Sequence, residues 1–191
     1  MLRALETAVL LWINGLRAPW LDPLASWLSE WGVYALPVAL LALALGRRRV
    51  AEVAAARDAW LAVLSAMFLA EFMLKPLVHR ARPTSDAAIL ARLHVLGATP
   101  SARSLSFPSG TAAMCAAAAA VVWCARGPRA GAAAAGFAAI VSLSRLYAGV
   151  HWPSDVVAGA ALGAVVGVGA WRLSRWVERA DRAAAQGLRG P

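Results

Sequence analysis

The sequence predicts an all-α integral membrane protein, a bundle of about five transmembrane helices preceded by an interfacial helical segment. Three observations lead to this fold class. Of the 191 residues, 61% are hydrophobic and only 15% are charged, and the mean hydropathy of +0.62 is too high for an ordinary soluble domain. The apolar residues gather into blocks that approach the roughly 20 residues a membrane span needs. The charged residues lie mainly between these blocks, where loops would begin.

The charge balance also narrows the choice of partner. The chain carries 19 Lys and Arg against 10 Asp and Glu, a net charge of +9. A nucleic-acid-binding protein would cluster such charge on a solvated surface, with aromatic residues between the basic ones. Here the arginines separate apolar blocks, which is the positive-inside pattern. We therefore expect the bilayer as partner and no nucleic acid.

The first 23 residues differ from the rest, because the uncharged run before Arg17 is too short to span a bilayer. They are predicted to form one or two amphipathic helices in the interface. The segment has no clear small-residue cleavage site, so we expect it to be retained rather than removed as a signal peptide. Four tryptophans are expected at headgroup depth, with core packing as the alternative: Trp12, Trp20, Trp27 and Trp31.

Five apolar blocks are predicted to span the membrane, and they cover residues 24–46, 58–74, 109–125, 130–147 and 155–173. Gly159, Gly163 and Gly167 line one face of the last block, where we expect close packing within the bundle rather than a dimer seam. Cys115 and Cys124 lie inside the third block and are expected to be small buried residues rather than a disulfide or metal pair.

With five spans, consecutive loops alternate between the two sides of the membrane. Eleven basic residues then share one side: Arg47, Arg48, Arg49, Arg57, Arg126, Arg129, Arg172, Arg175, Arg179, Arg182 and Arg189. The other side holds eight: Arg3, Arg17, Lys75, Arg80, Arg82, Arg92, Arg103 and Arg145. The larger group is predicted to be cytoplasmic. Residues 24–173 would then form a multi-pass domain of the cell (inner) membrane, and residues 174–191 a basic cytoplasmic tail.

Two segments on the side of the membrane with eight basic residues could hold an anion. In KPLVHRARP, residues 75–83, Lys75 and Arg82 could equally be cations that reach the membrane interface. In SFPSGTAA, residues 106–113, Ser109 and Gly110 directly precede an apolar helix. Ser109 could be only a helix cap, but free amides beside a hydroxyl also suit a phosphate oxyanion.

A third segment on the same side, SRLYAGVHWPSD at residues 144–155, contains Arg145, His151 and Asp155. A carboxylate that fixes the tautomer and orientation of an imidazole is the arrangement that makes histidine a nucleophile or a base. Each of the three segments is a weak signal alone. Their combination on one predicted side of the membrane is specific.

Together the segments resemble the type 2 phosphatidic acid phosphatase superfamily of membrane lipid phosphatases. The family pattern is Lys, six residues, Arg-Pro; then Pro-Ser-Gly-His; then Ser-Arg, five residues, His, three residues, Asp. The matching residues at family spacing are Lys75, Arg82, Pro83, Pro108, Ser109, Gly110, Ser144, Arg145, His151 and Asp155. The resemblance covers residues 24–173, including the order of spans and loops.

The resemblance implies an enzyme that hydrolyses a lipid phosphate or diphosphate at the outer face of the membrane. His151 would attack phosphorus to give a phosphohistidine, and Asp155 would orient His151. Five groups would clamp the phosphoryl oxygens: Lys75, Arg82, Arg145, Ser109 and the Gly110 amide. No cofactor or divalent metal is implied, and the sequence has no carboxylate cluster or spaced His and Cys set to bind one.

One residue departs from the family pattern. Thr111 occupies the position of the family histidine that protonates the leaving oxygen. A missing general acid costs about 10²–10⁴-fold in rate, and the cost is smallest for a leaving group that is already a stable anion. We therefore expect a polyprenyl, undecaprenyl-type, diphosphate as substrate. Substitute acids in the sequence are His79, His94 and Glu71, if burial favours the protonated form of Glu71, but all three could be ordinary interfacial polar residues.

Other interpretations stay open at this point. The phosphohistidine could pass its phosphoryl group to a second lipid, which would make the protein a phosphotransferase. A non-catalytic lipid-phosphate binder would explain the missing acid, although binding alone needs neither His151 nor Asp155. The loop from Thr84 to Leu105 contains the apolar run AAILARLHVL, residues 87–96, which could cover the site or serve as a connector. The oligomeric state is not predicted.

Overall fold

The computed structural model describes residues 1–97 and 104–187, and it confirms the predicted helical fold class. Of the basic residues counted above, Arg103 and Arg189 lie outside these ranges. The α-helices in the described residues are α1 (Leu2–Gly15), α2 (Asp22–Arg47), α3 (Val50–Phe68), α4 (Lys75–Val78), α5 (Ala87–Leu90), α6 (Gly110–Arg126), α7 (Pro128–Tyr147) and α8 (Pro153–Gly187). A π-helical segment, Leu69–Leu74, joins α3 to α4 without a break. Within the described ranges there is no β-strand, and Ala81 and Leu105 form an isolated antiparallel bridge.

Four stretches of the described chain are long and apolar enough to cross a membrane: Asp22–Arg47, Val50–Val78, Pro128–Tyr147 and Pro153–Gln186. They correspond to four of the five predicted spans. The remaining predicted span is α6, a shorter apolar helix of 17 residues. It lies at the centre of the bundle and packs on α3, α7 and α8. Most of its buried side chains are alanines, which let the neighbouring helices approach closely.

The glycines of α8 set the contact between α8 and α6. A Cβ atom at Gly159, Gly163 or Gly167 would collide with a backbone carbonyl oxygen of α6, at Ser109, Ala113 and Ala117 respectively. The predicted packing within the bundle is therefore confirmed. Because Gly159 meets Ser109, the contact aligns the N-terminus of α6 with the first turns of α8.

The N-terminal helix α1 lies against α7 and α8. Leu10 is fully buried there, and the Nδ2 atom of Asn14 donates hydrogen bonds to the carbonyl oxygens of Tyr147 (2.7 Å) and His94 (2.9 Å). The four N-terminal tryptophans are exposed by 52–79%, so core packing, the alternative given for them, is wrong: Trp12, Trp20, Trp27 and Trp31. Their exposure agrees with a position facing lipid or interface.

Several of the basic residues predicted to be cytoplasmic share acidic partners in α3. Arg47 and Arg126 both contact Glu52, while Arg57 and Arg175 both contact the fully buried Asp58. Helix α3 begins at Val50, N-terminal to the predicted span of residues 58–74. The predicted tail continues α8 as helix to Gly187. Cys115 is buried and Cys124 partly buried, and both are free thiols in the structure.

Candidate active site

The imidazole of His151 is at the centre of the candidate site, in the loop between α7 and α8. It is 2% exposed. Its Nε2 atom is 3.2 Å from Nη1 of Arg82, and its Nδ1 atom is 3.5 Å from Oδ2 of Asp155. Because a guanidinium only donates hydrogen bonds, Nε2 must accept, and the proton of the neutral ring resides on Nδ1, facing the carboxylate. The Nε2 lone pair therefore points towards the cation.

The environment keeps this imidazole neutral. Burial, assisted by the positive charges of Arg82 and Arg145 and opposed by Asp155, lowers the pKa of His151 to about 3. A neutral imidazole with one unprotonated ring nitrogen is the form that can act as a nucleophile. The 3.5 Å separation from Asp155 is longer than a hydrogen bond, and such contacts commonly tighten when substrate binds.

Asp155 is fully buried in the first turn of α8, and both of its carboxylate oxygens have partners. Oδ2 accepts from the backbone N–H of Trp152 at 2.8 Å, and Oδ1 accepts from Nη1 of Arg80 at 2.8 Å. The carbonyl oxygen of Asp155 accepts from the backbone N–H of Ser109 at 2.9 Å. This last bond, with the glycine contact described above, fixes the start of α6 against the dyad of His151 and Asp155.

Two arginines are held in place beside His151. Arg82 donates from Nε to Oγ of Ser104 and from Nη1 to the carbonyl oxygen of Val150, both at 2.8 Å. Arg145, near the end of α7, donates from Nη1 to Oγ (2.6 Å) and to the carbonyl oxygen (2.8 Å) of Ser29 on α2. These bonds fix the orientation of two guanidinium groups, and the planar fork of a guanidinium suits an oxyanion.

Lys75 is the third cation, and a carboxylate already holds it. Its buried Nζ atom is 2.6 Å from both Oε1 and Oε2 of Glu71. Arg82 and Arg145 lie close enough to Lys75 for their charges to interact. Glu71 lies on the π-helical segment, a feature often found at functional sites. A Cβ atom at Gly110 would collide with Oε1 of Glu71, so this carboxyl group touches the N-terminus of α6.

At that N-terminus, Ser109 caps α6 by accepting from the backbone N–H of Ala112 at 3.4 Å. Ser109 and Gly110 are buried, and Thr111 follows them, partly buried, in the first turn. Gly110 lies next to Glu71, and a helix N-terminus favours a bound anion.

The structure separates the three substitute acids. Glu71 lies beside Lys75 and Gly110, as described. His94 is held by residues outside the His151 site: Nη1 of Arg17 is 3.2 Å from Nδ1 of the ring, and the side chain of Asn14 accepts from the backbone N–H of His94. His79 is exposed at the left-handed end of α4, with φ of 50°. Of the three, Glu71 is therefore the residue that lies beside Lys75 and the start of α6.

The loop that could cover the site is described only in part, because residues 98–103 lie outside the described ranges. Ile89 and Leu93 pack against a buried cluster that includes Leu10 and Trp152. The described part of the loop is thus attached to α1 and to the loop before α8, which favours the connector over the cover.

Four site residues could not be assigned from the sequence: Glu6, Ser29, Arg80 and Ser154. Ser29 orients Arg145, and the other three form a network with Asp155. Arg80 and Ser154 lie inside the segments 75–83 and 144–155, so the sequence placed them near the site. It did not show which residues they would contact. Among the described residues, no three His, Cys, Asp or Glu side chains are grouped so as to hold a metal ion.

The fold defines a multi-span membrane protein, and comparison with known proteins places it among the phosphoric ester hydrolases that act on lipids. The sequence model of the PAP2 superfamily matches residues 55–179, and the chain belongs to this superfamily.

Similar proteins agree with this assignment. The chain is 38% identical over 144 residues to decaprenylphosphoryl-5-phosphoribose phosphatase of Mycobacterium tuberculosis, strains CDC 1551 and H37Rv, with 73% of each chain covered. Among solved structures, Aquifex aeolicus LpxE is 28% identical with a TM-score of 0.67, covering 86% of this chain and 93% of that one. The PAP2 type phosphatidylglycerolphosphate phosphatase of Bacillus subtilis shares the fold, with a TM-score of 0.67, 20% identity, and coverage of 93% of this chain and 86% of that one.

Proposed function

We propose that this chain hydrolyses a polyprenyl diphosphate of the undecaprenyl type, without a metal ion, through a phosphohistidine on His151. The observation that carries the proposal is the state of His151: a buried neutral ring whose Nε2 lone pair faces Arg82 and whose Nδ1–H faces Asp155. This combination suits a nucleophile whose developing positive charge is stabilised by the aspartate.

In the first step, Nε2 of His151 forms a bond to phosphorus while the bond to the leaving oxygen breaks, and the leaving group departs with that electron pair. Lys75, Arg82 and Arg145 neutralise charge on the phosphoryl oxygens, helped by the amide of Gly110. Because Lys75 is paired with Glu71 in the free protein, substrate must take over the ammonium from that carboxylate. Asp155 balances the positive charge of the phosphorylated imidazole.

In the second step, water attacks phosphorus and releases phosphate, and the electron pair of the nitrogen–phosphorus bond returns to His151. If a lipid hydroxyl or phosphate replaced water in this step, the protein would be a phosphotransferase. A protein that only binds the headgroup would carry out neither the first nor the second step. The buried His151–Asp155 dyad favours chemistry over binding, since binding gains nothing from an oriented nucleophile.

Thr111 points to the kind of leaving group. A threonine hydroxyl can donate a hydrogen bond to a leaving oxygen but cannot deliver a proton near neutral pH, which costs about 10²–10⁴-fold if nothing replaces it. When a diphosphate is cleaved, the leaving lipid phosphate is a stable anion and needs little protonation. A diphosphate is therefore the substrate class that this site handles best.

A relative favours a second candidate substrate, a phosphate monoester carried on a polyprenyl lipid. The Mycobacterium tuberculosis protein is named for a substrate that joins a decaprenylphosphoryl group to a phosphoribose. A sugar alkoxide is a poor leaving group and needs a proton. In that case Glu71, beside the N-terminus of α6, would first have to take a proton from water once substrate draws Lys75 away, and then pass it to the leaving alkoxide. Glu71→Gln would then lower monoester turnover while leaving diphosphate turnover nearly unchanged.

We propose the membrane topology from the distribution of basic residues. The membrane domain comprises residues 24–173 of a cell (inner) membrane protein, with residues 174–191 as its cytoplasmic tail. The group of basic residues that pairs with Glu52 and Asp58 lies on the cytoplasmic side, and the site lies at the outer face.

The test is phosphate release by the purified full chain in detergent, with His151→Ala as the blank. The panel contains a polyprenyl diphosphate, a polyprenyl-linked sugar phosphate and phosphatidic acid. Faster release from the diphosphate supports the proposal, and faster release from the sugar phosphate supports the second candidate. A clear preference for phosphatidic acid contradicts both substrates, and release that does not exceed the blank from any member supports the binder.

A further inference from the structure

Behind the His151–Asp155 dyad lies a row of alternating charges formed by Asp155, Arg80 and Glu6. We propose that Arg80 and Glu6 are positioning residues that fix the Asp155 carboxylate and set the net charge behind His151, so that the N-terminal helix α1 is part of the active site. This inference rests on the proposed phosphohistidine chemistry and adds two residues to it.

The guanidinium of Arg80 connects the other members. Nη1 donates to Oδ1 of Asp155 at 2.8 Å and to Oγ of Ser154 at 2.5 Å, and Nη2 donates to Oε2 of Glu6 at 2.6 Å. The Cζ atom lies 5.5 Å from the centroid of the Trp152 ring, in cation–π range. The plane of Arg80 is thus fixed by two carboxylates, a hydroxyl and an aromatic ring.

Glu6 completes the row from α1. Its side chain is buried, although a glutamate on an interfacial helix would ordinarily face water. Oε1 accepts a hydrogen bond from the backbone N–H of Ser154 at 3.3 Å and a short one from the Ser154 hydroxyl. Glu6 therefore contacts both Arg80 and the residue next to Asp155.

The charges explain why two partners are needed. A fully buried carboxylate such as Asp155 is costly unless it is paired, and Arg80 supplies the paired cation. That pair alone is neutral, and a neutral pair stabilises a positively charged imidazole poorly. Adding Glu6 gives two carboxylates and one guanidinium, a net charge of −1. This charge matches the single positive charge that His151 gains when its Nε2 bonds to phosphorus.

The row extends beyond the region shared with the superfamily. The superfamily match covers residues 55–179, which includes Arg80 and Asp155 but not Glu6. Asn14 and Leu10 fix α1 on the bundle independently of Glu6. A variant without the Glu6 charge should therefore keep α1 docked on the bundle. A loss of activity in that variant can then be assigned to catalysis and not to folding.

The experiment compares Arg80→Gln, Arg80→Lys, Glu6→Gln and the Glu6→Gln/Arg80→Gln double variant in the purified full chain. The control is Arg3→Gln. Arg3 lies on α1, as Glu6 does, and this change removes only its exposed ion pair with Asp86. Steady-state phosphate release is measured with the panel substrate that the wild type hydrolyses fastest, together with the thermal unfolding midpoint.

We expect Arg80→Gln to lower kcat by about 10–100-fold with KM changed less than threefold, because the row acts on the nucleophile and not on substrate binding. Arg80→Lys should recover part of kcat, and Glu6→Gln should lower it about 3–30-fold. The double variant should be less impaired than the product of the single effects, as expected for coupled groups.

The inference is overturned if the wild type is active and Arg80→Gln or Glu6→Gln matches Arg3→Gln in kcat, or if kcat falls only in proportion to the loss of folded protein. Rising KM at constant kcat would also overturn it. Absence of His151-dependent release in the wild type, by contrast, overturns the proposed function itself and this inference with it.

Discussion

Replacing Asp155 by asparagine perturbs the dyad with the least change in shape. In the native site Oδ1 accepts from Arg80 and Oδ2 accepts from the backbone N–H of Trp152. Asparagine offers one oxygen and one NH₂ group, so a donor must face either Arg80 or Trp152. Because Arg80 is a charged donor, the asparagine oxygen should stay on Arg80, and the NH₂ group then faces both the Trp152 amide and Nδ1 of His151. That arrangement favours the ring tautomer with its proton on Nε2, although this proton then faces the Arg82 guanidinium.

That tautomer has no lone pair at the atom that attacks phosphorus. The equivalent change in serine proteases costs about 10⁴-fold in kcat, and we expect a loss of that order for Asp155→Asn. The buried donor left without an acceptor should also cost about 1–3 kcal/mol of unfolding free energy. The assay is single-turnover formation of phosphoenzyme, with thermal unfolding in detergent as the check on folding.

A matched control is Asp86→Asn, since Asp86 caps the short helix α5 at the surface and asparagine caps equally well. It should retain wild-type rates. A folded Asp155→Asn protein that forms phosphoenzyme within about threefold of the wild-type rate would refute the role of the carboxylate in selecting the tautomer of His151.

Three further predictions follow from particular residues. Thr111→His should raise phosphatidic acid turnover by about 10²-fold or more while changing diphosphate turnover little, measured as the ratio of the two rates, and an unchanged ratio would show that the acid is not missing. The pKa of His151 is lower in the folded state than its unfolded value of 6.5, so the unfolded state binds the proton more tightly. The contribution of neutral His151 to folding stability should therefore be fully present above pH 6.5 and fall as the pH drops towards 3. At pH 5 this loss is about 2 kcal/mol, seen as a lower unfolding midpoint that His151→Gln should not show. Gly163→Ala should destabilise the protein by about 1–3 kcal/mol, because the added Cβ would collide with the carbonyl oxygen of Ala113. Gly169→Ala meets open space and should be neutral or stabilising, so equal thermal unfolding midpoints for the two variants would contradict the packing of α8 on α6.

Hydropathy and motif spacing were sufficient to predict the bundle and the residues around His151. The helices follow from blocks of apolar residues, whereas Lys75, Arg82, Arg145 and Asp155 were singled out because their spacing resembles the superfamily pattern. Both signals are local in sequence, so they can be found without knowing how helices pack. The α6–α8 contact was also predictable, because small residues four apart on one face permit close approach.

Other features depend on tertiary contacts and were not predictable. Glu6 and Arg80 are 74 positions apart and meet only because α1 docks beside α8. Ser29 orients Arg145 across 116 positions, and no spacing rule links them. The π-helical segment that turns Glu71 towards Gly110 has no signature in composition, since Leu69–Leu74 is as apolar as the helix before it.

The most direct test is to trap the covalent intermediate. The purified chain is mixed with a polyprenyl diphosphate carrying a labelled terminal phosphate, quenched in alkali to preserve phosphohistidine, digested and mapped by mass spectrometry. We predict one phosphoryl group on His151, absent from His151→Ala and strongly reduced in Asp155→Asn. Steady phosphate release with no phosphoryl group on His151, or with the label on another residue, would contradict the proposed mechanism.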